Sequence, residues 1–122
     1  MSDQDGHQVL TYPQAVDALR SITAQIRRLE DELAAAITEH ADSEAAYRSQ
    51  FAFQLRKHRD EGLAMEHAVA AARAEISVLD RDRIKAEHRI KLTLERLEDR
   101  RGERASLNAL VRWASRAGGG DE

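Results

Sequence analysis

The 122-residue sequence contains no cysteine, one proline, six glycines and only five aromatic side chains. Without cysteine, the chain cannot form disulfides or thiolate metal sites, and it has no thiol nucleophile. No apolar run approaches the roughly 20 residues that a membrane-spanning helix requires. The formal net charge of −3 does not favour bulk binding to nucleic acid or to anionic membranes. These absences exclude disulfide-rich scaffolds and membrane-spanning proteins.

The few helix-breaking residues lie mostly near the ends of the chain. Pro13 is the only proline, and between it and the C-terminal tail only Gly62 and Gly102 interrupt a stretch rich in Ala, Leu, Glu and Arg. Such a composition predicts helix. Thr11 followed three residues later by Gln14 is a capping-box pattern that predicts a helix start.

The sequence Arg59-Asp60-Glu61-Gly62 predicts a tight turn between two helices. Gly118 predicts the stop of the second helix. We therefore predict an all-α fold, a long antiparallel two-helix hairpin of the coiled-coil type. The predicted segments are a disordered tail at 1–10, helix 1 at about 13–59, the turn at 60–63, helix 2 at about 64–117 and a disordered tail at 118–122.

Apolar residues of helix 2 recur with alternating spacings of three and four, which predicts one stripe facing the other helix. We call this stripe the seam. The predicted seam positions are Met65, Val69, Ala72, Ile76, Leu79, Arg83, Ala86, Ile90, Thr93, Leu97, Arg100, Arg104, Leu107, Val111 and Ala114. Helix 1 follows the same repeat, with one predicted slip at Ile37.

Several large apolar residues fall outside the seam, and a two-helix hairpin offers them no second surface. We therefore expect a homodimer that forms a four-helix assembly, or a hairpin docked on a partner. The residues left over are Phe53, Leu63, Val78, Ile84, Leu92, Leu110 and Trp113.

Histidine and glutamate occur at spacings that could serve a metal ion. His40 and Glu44 are four residues apart on one helix, but Arg83 falls opposite them, and a fixed cation disfavours a metal. The pattern favours a polar layer that sets the helix register. His58 and His67 flank the turn without a carboxylate at ligand spacing, which favours two solvated side chains. We predict no metal and no cofactor.

The stretch Arg81–Arg104 holds nine Lys or Arg and six Asp or Glu residues. It could follow a phosphate backbone, but it contains no aromatic side chain for base stacking. Pairs such as Glu87 and Lys91 favour a solvated helix with internal ion pairs instead.

Three arginines of this stretch, Arg100, Arg101 and Arg104, surround Gly102. Glycine inside a helix costs roughly 1 kcal/mol relative to alanine. A close helix crossing or a contact with a partner would offset that cost.

The predicted tip of the hairpin carries Asp60, Glu61 and Gly62. A polar turn commonly contains these residue types. In geometry alone, such a tip resembles that of transcript-cleavage factors of the Gre type, which use acidic tip residues.

The central part of the chain contains a recognisable pattern, made up of Glu44-Ala45-Ala46-Tyr47, Gly62, Glu66, Leu97, Leu107 and Leu110. This pattern resembles a group of small helical proteins from tailed bacteriophages and prophages. The chain departs from the group in having Ala64 where a Ser or Thr cap is usual. The resemblance implies a phage protein acting in the bacterial cytoplasm, and it implies no catalytic residue.

No convergent set of catalytic side chains is visible, so we predict a non-enzymatic interaction protein that self-associates and binds a host or phage protein. Trp113 and Leu110, with the three arginines around Gly102, are its candidate partner interface, because aromatic and arginine side chains dominate protein interfaces. Alternatively, Trp113 closes the core against Tyr12 and Val16. A nucleic-acid accessory protein and a structural component of a virion remain alternative functions.

Overall fold

The protein is described by a computed structural model that covers residues 10–119. All secondary structure within these residues is helical, as the sequence predicts, and comprises α1 (Tyr12–Asp60), α2 (Met65–Glu75) and α3 (Ser77–Gly119). The predicted tails at 1–10 and 118–122 lie largely outside the described residues. The predicted stop at Gly118 is wrong, because α3 continues to Gly119. Glycine adopts helical backbone angles as readily as the left-handed ones of a cap.

The start of α1 shows the reciprocal hydrogen bonds of a capping box. The amide of Thr11 donates to Oε1 of Gln14 at 2.9 Å, and the amide of Gln14 donates to Oγ1 of Thr11 at 3.3 Å. These bonds satisfy two amides that a helix N-terminus otherwise leaves free. Pro13 fits the first turn because an amide there needs no helical partner.

The turn after α1 is built on Gly62, whose φ is +97°. The amide of Gly62 donates to the Arg59 carbonyl at 3.0 Å, and that of Leu63 donates to the His58 carbonyl at 3.1 Å. Together these bonds form a Schellman motif, in which glycine supplies the left-handed residue that ends the helix. The following helix begins after Ala64, which provides no side-chain cap.

The single predicted second helix is divided into α2 and α3 at Ile76, where the backbone angles are φ −107° and ψ 20°. Hydrogen bonds continue on both sides, from the amide of Ile76 to the Ala72 carbonyl and from the amide of Asp80 to the Ile76 carbonyl. The side chain of Ile76 is buried. The break is therefore confined to one residue, and nothing in its sequence signals it.

The chain forms two compact units. One contains residues 12–30 of α1 packed with residues 95–119 of α3, and its buried residues include Ile22, Ile26 and Leu97. The other contains residues 31–94. In this second unit the end of α1, the turn, α2 and the start of α3 form an antiparallel hairpin around four buried alanines and Ile76.

The predicted seam is the least exposed stripe of α2 and α3. From Val69 to Ala114 every predicted seam position is buried or half-buried, whereas Met65 is exposed. Within each of the two units, the alternating spacing of three and four thus places the seam toward α1.

The slip in α1 lies elsewhere than predicted. Ala36 is buried and Ile37 is 52% exposed, so the repeat does not pass through Ile37. Instead the seam takes two successive four-residue steps, Ala36 to His40 to Glu44. Two such steps are the signature of a stutter, which locally unwinds a supercoil. Because His40 and Glu44 are polar, the spacing of apolar residues alone does not reveal the position of the stutter.

Candidate functional site

The predicted polar layer forms at the stutter of α1. Nη1 of Arg83 lies 3.3 Å from Oε1 of Glu44, and Nε2 of His40 lies 3.7 Å from the same oxygen. All three side chains are half-buried. The structure therefore brings together the three residues that the sequence singled out.

Two residues of the layer were missed by the sequence analysis. Nη2 of Arg83 donates to Oδ1 of Asp80 at 2.6 Å, and the guanidinium carbon lies 4.4 Å from the centre of the Tyr47 ring. Hydrogen bonds to Asp80 and then to Glu44 raise the pKa of Arg83 above its ordinary value. The three-residue spacing of Asp80 and Arg83 along α3 is a signal that could have found the ion pair. The layer holds a fixed cation between two carboxylates, which suits a structural role.

A second polar cluster lies at the turn and contradicts the prediction for His58. This side chain is only 9% exposed, and its Nε2 lies 3.1 Å from Oε1 of Glu75. Its Nδ1 lies 3.6 Å from Oε2 of Glu61. His67 is exposed and lies beside Glu66 instead. The two histidines are therefore not a solvated pair, because the turn buries one of them against α2.

The tip residues have structural partners. Asp60 ends α1, Gly62 forms the left-handed turn, and the Glu61 carboxylate faces His58. Beside them lies an open groove lined by Phe53, Arg56, Lys57, Asp60 and Glu61. Among residues 10–119, no three acidic, histidine or cysteine side chains are arranged to hold a metal ion.

The predicted partner interface does not form one surface. Trp113 is 64% exposed and Leu110 half-buried, and each precedes a seam residue by one position. Arg100 and Arg104 lie in the seam, and Arg101 follows it by one position, on the opposite side. Because successive helical residues are about 100° apart, the tryptophan and Arg101 face different directions.

The alternative role of Trp113 in the core is wrong. Its exposure, together with the 49% exposure of Tyr12, shows that the two rings do not close the core. A tryptophan one position away from the seam points past the opposing helix, so its ring stays in solvent.

Each of the four arginines between residues 81 and 104 for which a close contact is described binds a carboxylate, and Arg83 has been described above. Arg89 pairs with Glu39, Nη2 of Arg101 lies 3.4 Å from Oε2 of Glu30, and Nη1 of Arg100 lies 2.6 Å from Oε1 of Glu103. Only Arg100 and Glu103 pair within one helix, as the predicted pair of Glu87 and Lys91 also does at 4.0 Å, whereas Arg89 and Arg101 join α3 to α1. Arginines held by carboxylates are less available to phosphates.

Gly102 is not explained by a close helix crossing. A Cβ atom added there would meet nothing within 4 Å, so no neighbouring helix requires glycine. Of the two explanations drawn from the sequence, contact with a partner is the one that stays open.

None of the helices in the described part of the chain is both long enough and apolar enough to cross a membrane.

Comparison with known proteins gives no relative for this chain. No protein-family description, no curated protein and no solved structure matches it.

Proposed function

We propose that the protein is a non-enzymatic helical interaction module that self-associates and, as a phage-encoded protein of the bacterial cytoplasm, binds a host or phage protein. One observation carries the self-association. Within residues 10–119, only four large apolar side chains are buried, whereas ten are exposed. The buried ones are Ile22, Ile26, Ile76 and Leu97, and the other five buried apolar residues are alanines.

Binding of a further protein rests on the exposed aromatic side chains. Trp113 is exposed beside half-buried Leu110, and Phe53 is exposed above the tip groove. Exposed aromatic rings of this kind act as anchors when a partner covers them. The phage assignment is supported by the sequence resemblance around Tyr47 and Gly62.

Sedimentation velocity tests the self-association. We expect a dimer at micromolar concentration, since burial of the exposed aliphatic side chains stabilises the associated state. A well-folded monomer across that concentration range would contradict the proposal. Capture of the tagged protein from nuclease-treated lysate, with Trp113→Ala as the comparison, then tests whether the exposed ring anchors a partner.

A further inference from the structure

The C-terminal part of α3 carries almost no charge. Residues 105–115 include one charged side chain, Arg112, whereas residues 94–104 include eight in the same length. Seven of the eleven residues from 105 to 115 are exposed, so packing against α1 does not account for the missing charges. An uncharged exposed surface in a chain with 34% charged residues is typical of a surface that another molecule covers.

The two sides of the unit that contains this segment differ in charge over the same positions. In an antiparallel pair, residues directly after the seam on both helices share one side, as Glu30 and Arg101 do, and residues directly before it share the other. The seam positions compared are Ala15, Leu19, Ile22, Ile26, Leu107, Val111 and Ala114.

The side before the seam has no charged residue at these positions. Its members are Gln14, Ala18, Ser21, Gln25, Ser106, Leu110 and Trp113. The side after the seam has three arginines among its seven members, which are Val16, Arg20, Thr23, Arg27, Asn108, Arg112 and Ser115. The uncharged side is therefore the one that holds Trp113, which is 64% exposed.

Six exposed residues of α3 on and beside the uncharged side repeat the alternating spacing of three and four that defines the seam. They are Asp99, Gly102, Ser106, Ala109, Trp113 and Arg116. Up to Trp113, each lies one or two positions before a seam residue, so the line that they form faces away from α1. We call this line the outer stripe.

The order of residues in the outer stripe is complementary to itself. When two copies of the stripe are aligned in opposite directions about its midpoint, Asp99 of one faces Arg116 of the other, and Gly102 faces Trp113. The two middle residues, both small, then face each other. A parallel alignment would instead bring like charges together and place the two indole rings side by side.

We propose that the outer stripe is the contact surface for a second copy of this chain, with the two α3 helices antiparallel and centred between residues 107 and 108. The proposal rests on the self-association proposed above and specifies which surface carries it. It assigns the ring of Trp113 to the second copy, and it leaves the exposed ring of Phe53 for a further protein.

The sizes of the facing residues favour a second copy over another partner. A Cβ atom at Gly102 would meet nothing within 4 Å, so the space beside this residue is open. In one copy the glycine only weakens the helix, but in the antiparallel pair it leaves room for the ring of Trp113. Another protein would have to supply a bulky side chain, a small one and two opposite charges at the same spacing, whereas this chain supplies all of them.

The charges at the ends of the stripe favour the same arrangement. Among residues 10–119, neither Asp99 nor Arg116 takes part in an ion pair, so both are available to a second copy. Beside the stripe, Glu103 is balanced within one copy by Arg100 at 2.6 Å. Exposed ion pairs contribute little net stability, but like charges at facing positions oppose association. The end charges therefore select the orientation, and burial of two indole rings stabilises the dimer.

Charge reversal tests the proposed alignment. Asp99→Arg and Arg116→Asp each place like charges opposite one another at both ends of the stripe, and we expect each to weaken dimerisation about tenfold. Both changes in one chain restore opposite charges and should return the dissociation constant to within about threefold of the wild-type value. Glu98→Arg provides the matched control, because it makes the same charge change one residue away, on the side after the seam.

Sedimentation velocity gives the dissociation constants, and circular dichroism shows that each variant is helical. Weakening by the single variants with recovery in the double variant supports the proposal, as does preferential heterodimer formation when the two single variants are mixed. Unchanged dimerisation of the single variants, no recovery, or equal weakening by Glu98→Arg overturns the assignment of the surface while leaving self-association intact. A wild-type monomer overturns self-association itself.

Trp113 is the only tryptophan of the chain, so its fluorescence reports directly on the proposed contact. As the concentration rises through the dissociation constant, the emission maximum should move to shorter wavelength, because the ring leaves water. Trp113→Ala should weaken dimerisation about tenfold or more, whereas Phe53→Ala, which removes the other strongly exposed ring, should change it less than about threefold. An unchanged emission maximum in a sample that sedimentation shows to be dimeric would overturn the proposal.

Discussion

His58 and His67 stand nine residues apart around one turn, yet their surroundings differ completely. His58 is enclosed between α1 and α2 with Glu75 at 3.1 Å, whereas the side chain of His67 is 71% exposed. The sequence shows two similar histidines, and only the packing of α2 against α1 separates their roles. Burying a polar side chain without a hydrogen-bond partner costs free energy. The contact with Glu75 offsets this cost for His58.

We expect His58→Ala to lower the free energy of unfolding by about 1–3 kcal/mol, because it removes a buried side chain and its hydrogen bond. His67→Ala should change it by less than about 0.5 kcal/mol, since the side chain is exposed. Urea unfolding followed by circular dichroism measures both. Equal effects of the two substitutions would show that the turn does not bury His58.

Arg83 illustrates how a polar residue can occupy the seam. Its guanidinium contacts Asp80, Glu44 and the ring of Tyr47, so it reaches partners on both helices. Because the hydrogen bonds to Asp80 and Glu44 raise the pKa of Arg83, the stabilisation is present below the ordinary arginine pKa and is lost only at still higher pH. Arg83 therefore adds no pH dependence to stability between about pH 5 and 9.

Among the secondary-structure elements, the turn depends on one residue with a left-handed backbone. Gly62 has a φ of +97°, and a Cβ atom there would contact nothing within 4 Å. The requirement for glycine is therefore conformational and not steric. Gly102 also has open space around it, but it lies within α3, where glycine only weakens the helix.

Substitution by alanine should consequently have opposite effects at these two positions. Gly62→Ala forces a side chain into the left-handed region and should destabilise the protein by about 1–2 kcal/mol. Gly102→Ala should stabilise it by about 1 kcal/mol. Thermal unfolding of both variants gives the comparison. Destabilisation by Gly102→Ala would indicate that another chain packs closely against that glycine.

The ion pairs between α1 and α3 show why the register of the hairpin, that is, which residues face one another, was only partly predictable from the sequence. A hairpin folded at residues 61–62 would place Ile84 opposite Glu39 and Leu79 opposite Glu44. In the structure, Glu39 pairs with Arg89 and Glu44 pairs with Arg83, which lie five and four residues further along the chain. The turn lies slightly later than predicted, and helical side chains lean toward the N-terminus of their own helix. In an antiparallel pair, both effects shift the partner of a given α1 residue toward a higher residue number on α3.

For the whole molecule, more large apolar side chains of the described residues are exposed than buried, and this imbalance leads us to expect that stability depends on association. The core of the described residues is made mainly of alanines with four larger residues, so each unit buries little apolar surface. Since burial of apolar area is the main favourable contribution to folding, association should contribute substantially to stability.

We therefore expect the melting temperature to rise with protein concentration, because a partner that binds only the folded state stabilises it by mass action. Differential scanning calorimetry over a hundredfold concentration range measures this shift. A melting temperature independent of concentration in the wild-type protein would mean that folding does not require association.

The sequence by itself determined the all-helical fold, the capping box at Thr11, the turn at Gly62 and the seam of α2 and α3. These features follow from local rules: hydrogen-bond caps, the backbone freedom of glycine and a repeat of three and four residues. The three residues of the polar layer were found in the same way, because their spacing and register placed them opposite one another.

Only the tertiary structure decided the position of the stutter, the burial of His58 against Glu75 and the exposure of Trp113. Each depends on which side chain of one helix fills the space left by the other, and shifting a contact by one residue turns it by about 100°. Apolar spacing places Ile37 and Ala36 almost equally well in the seam. Packing selects the smaller Ala36, and this choice leaves Ile37 exposed.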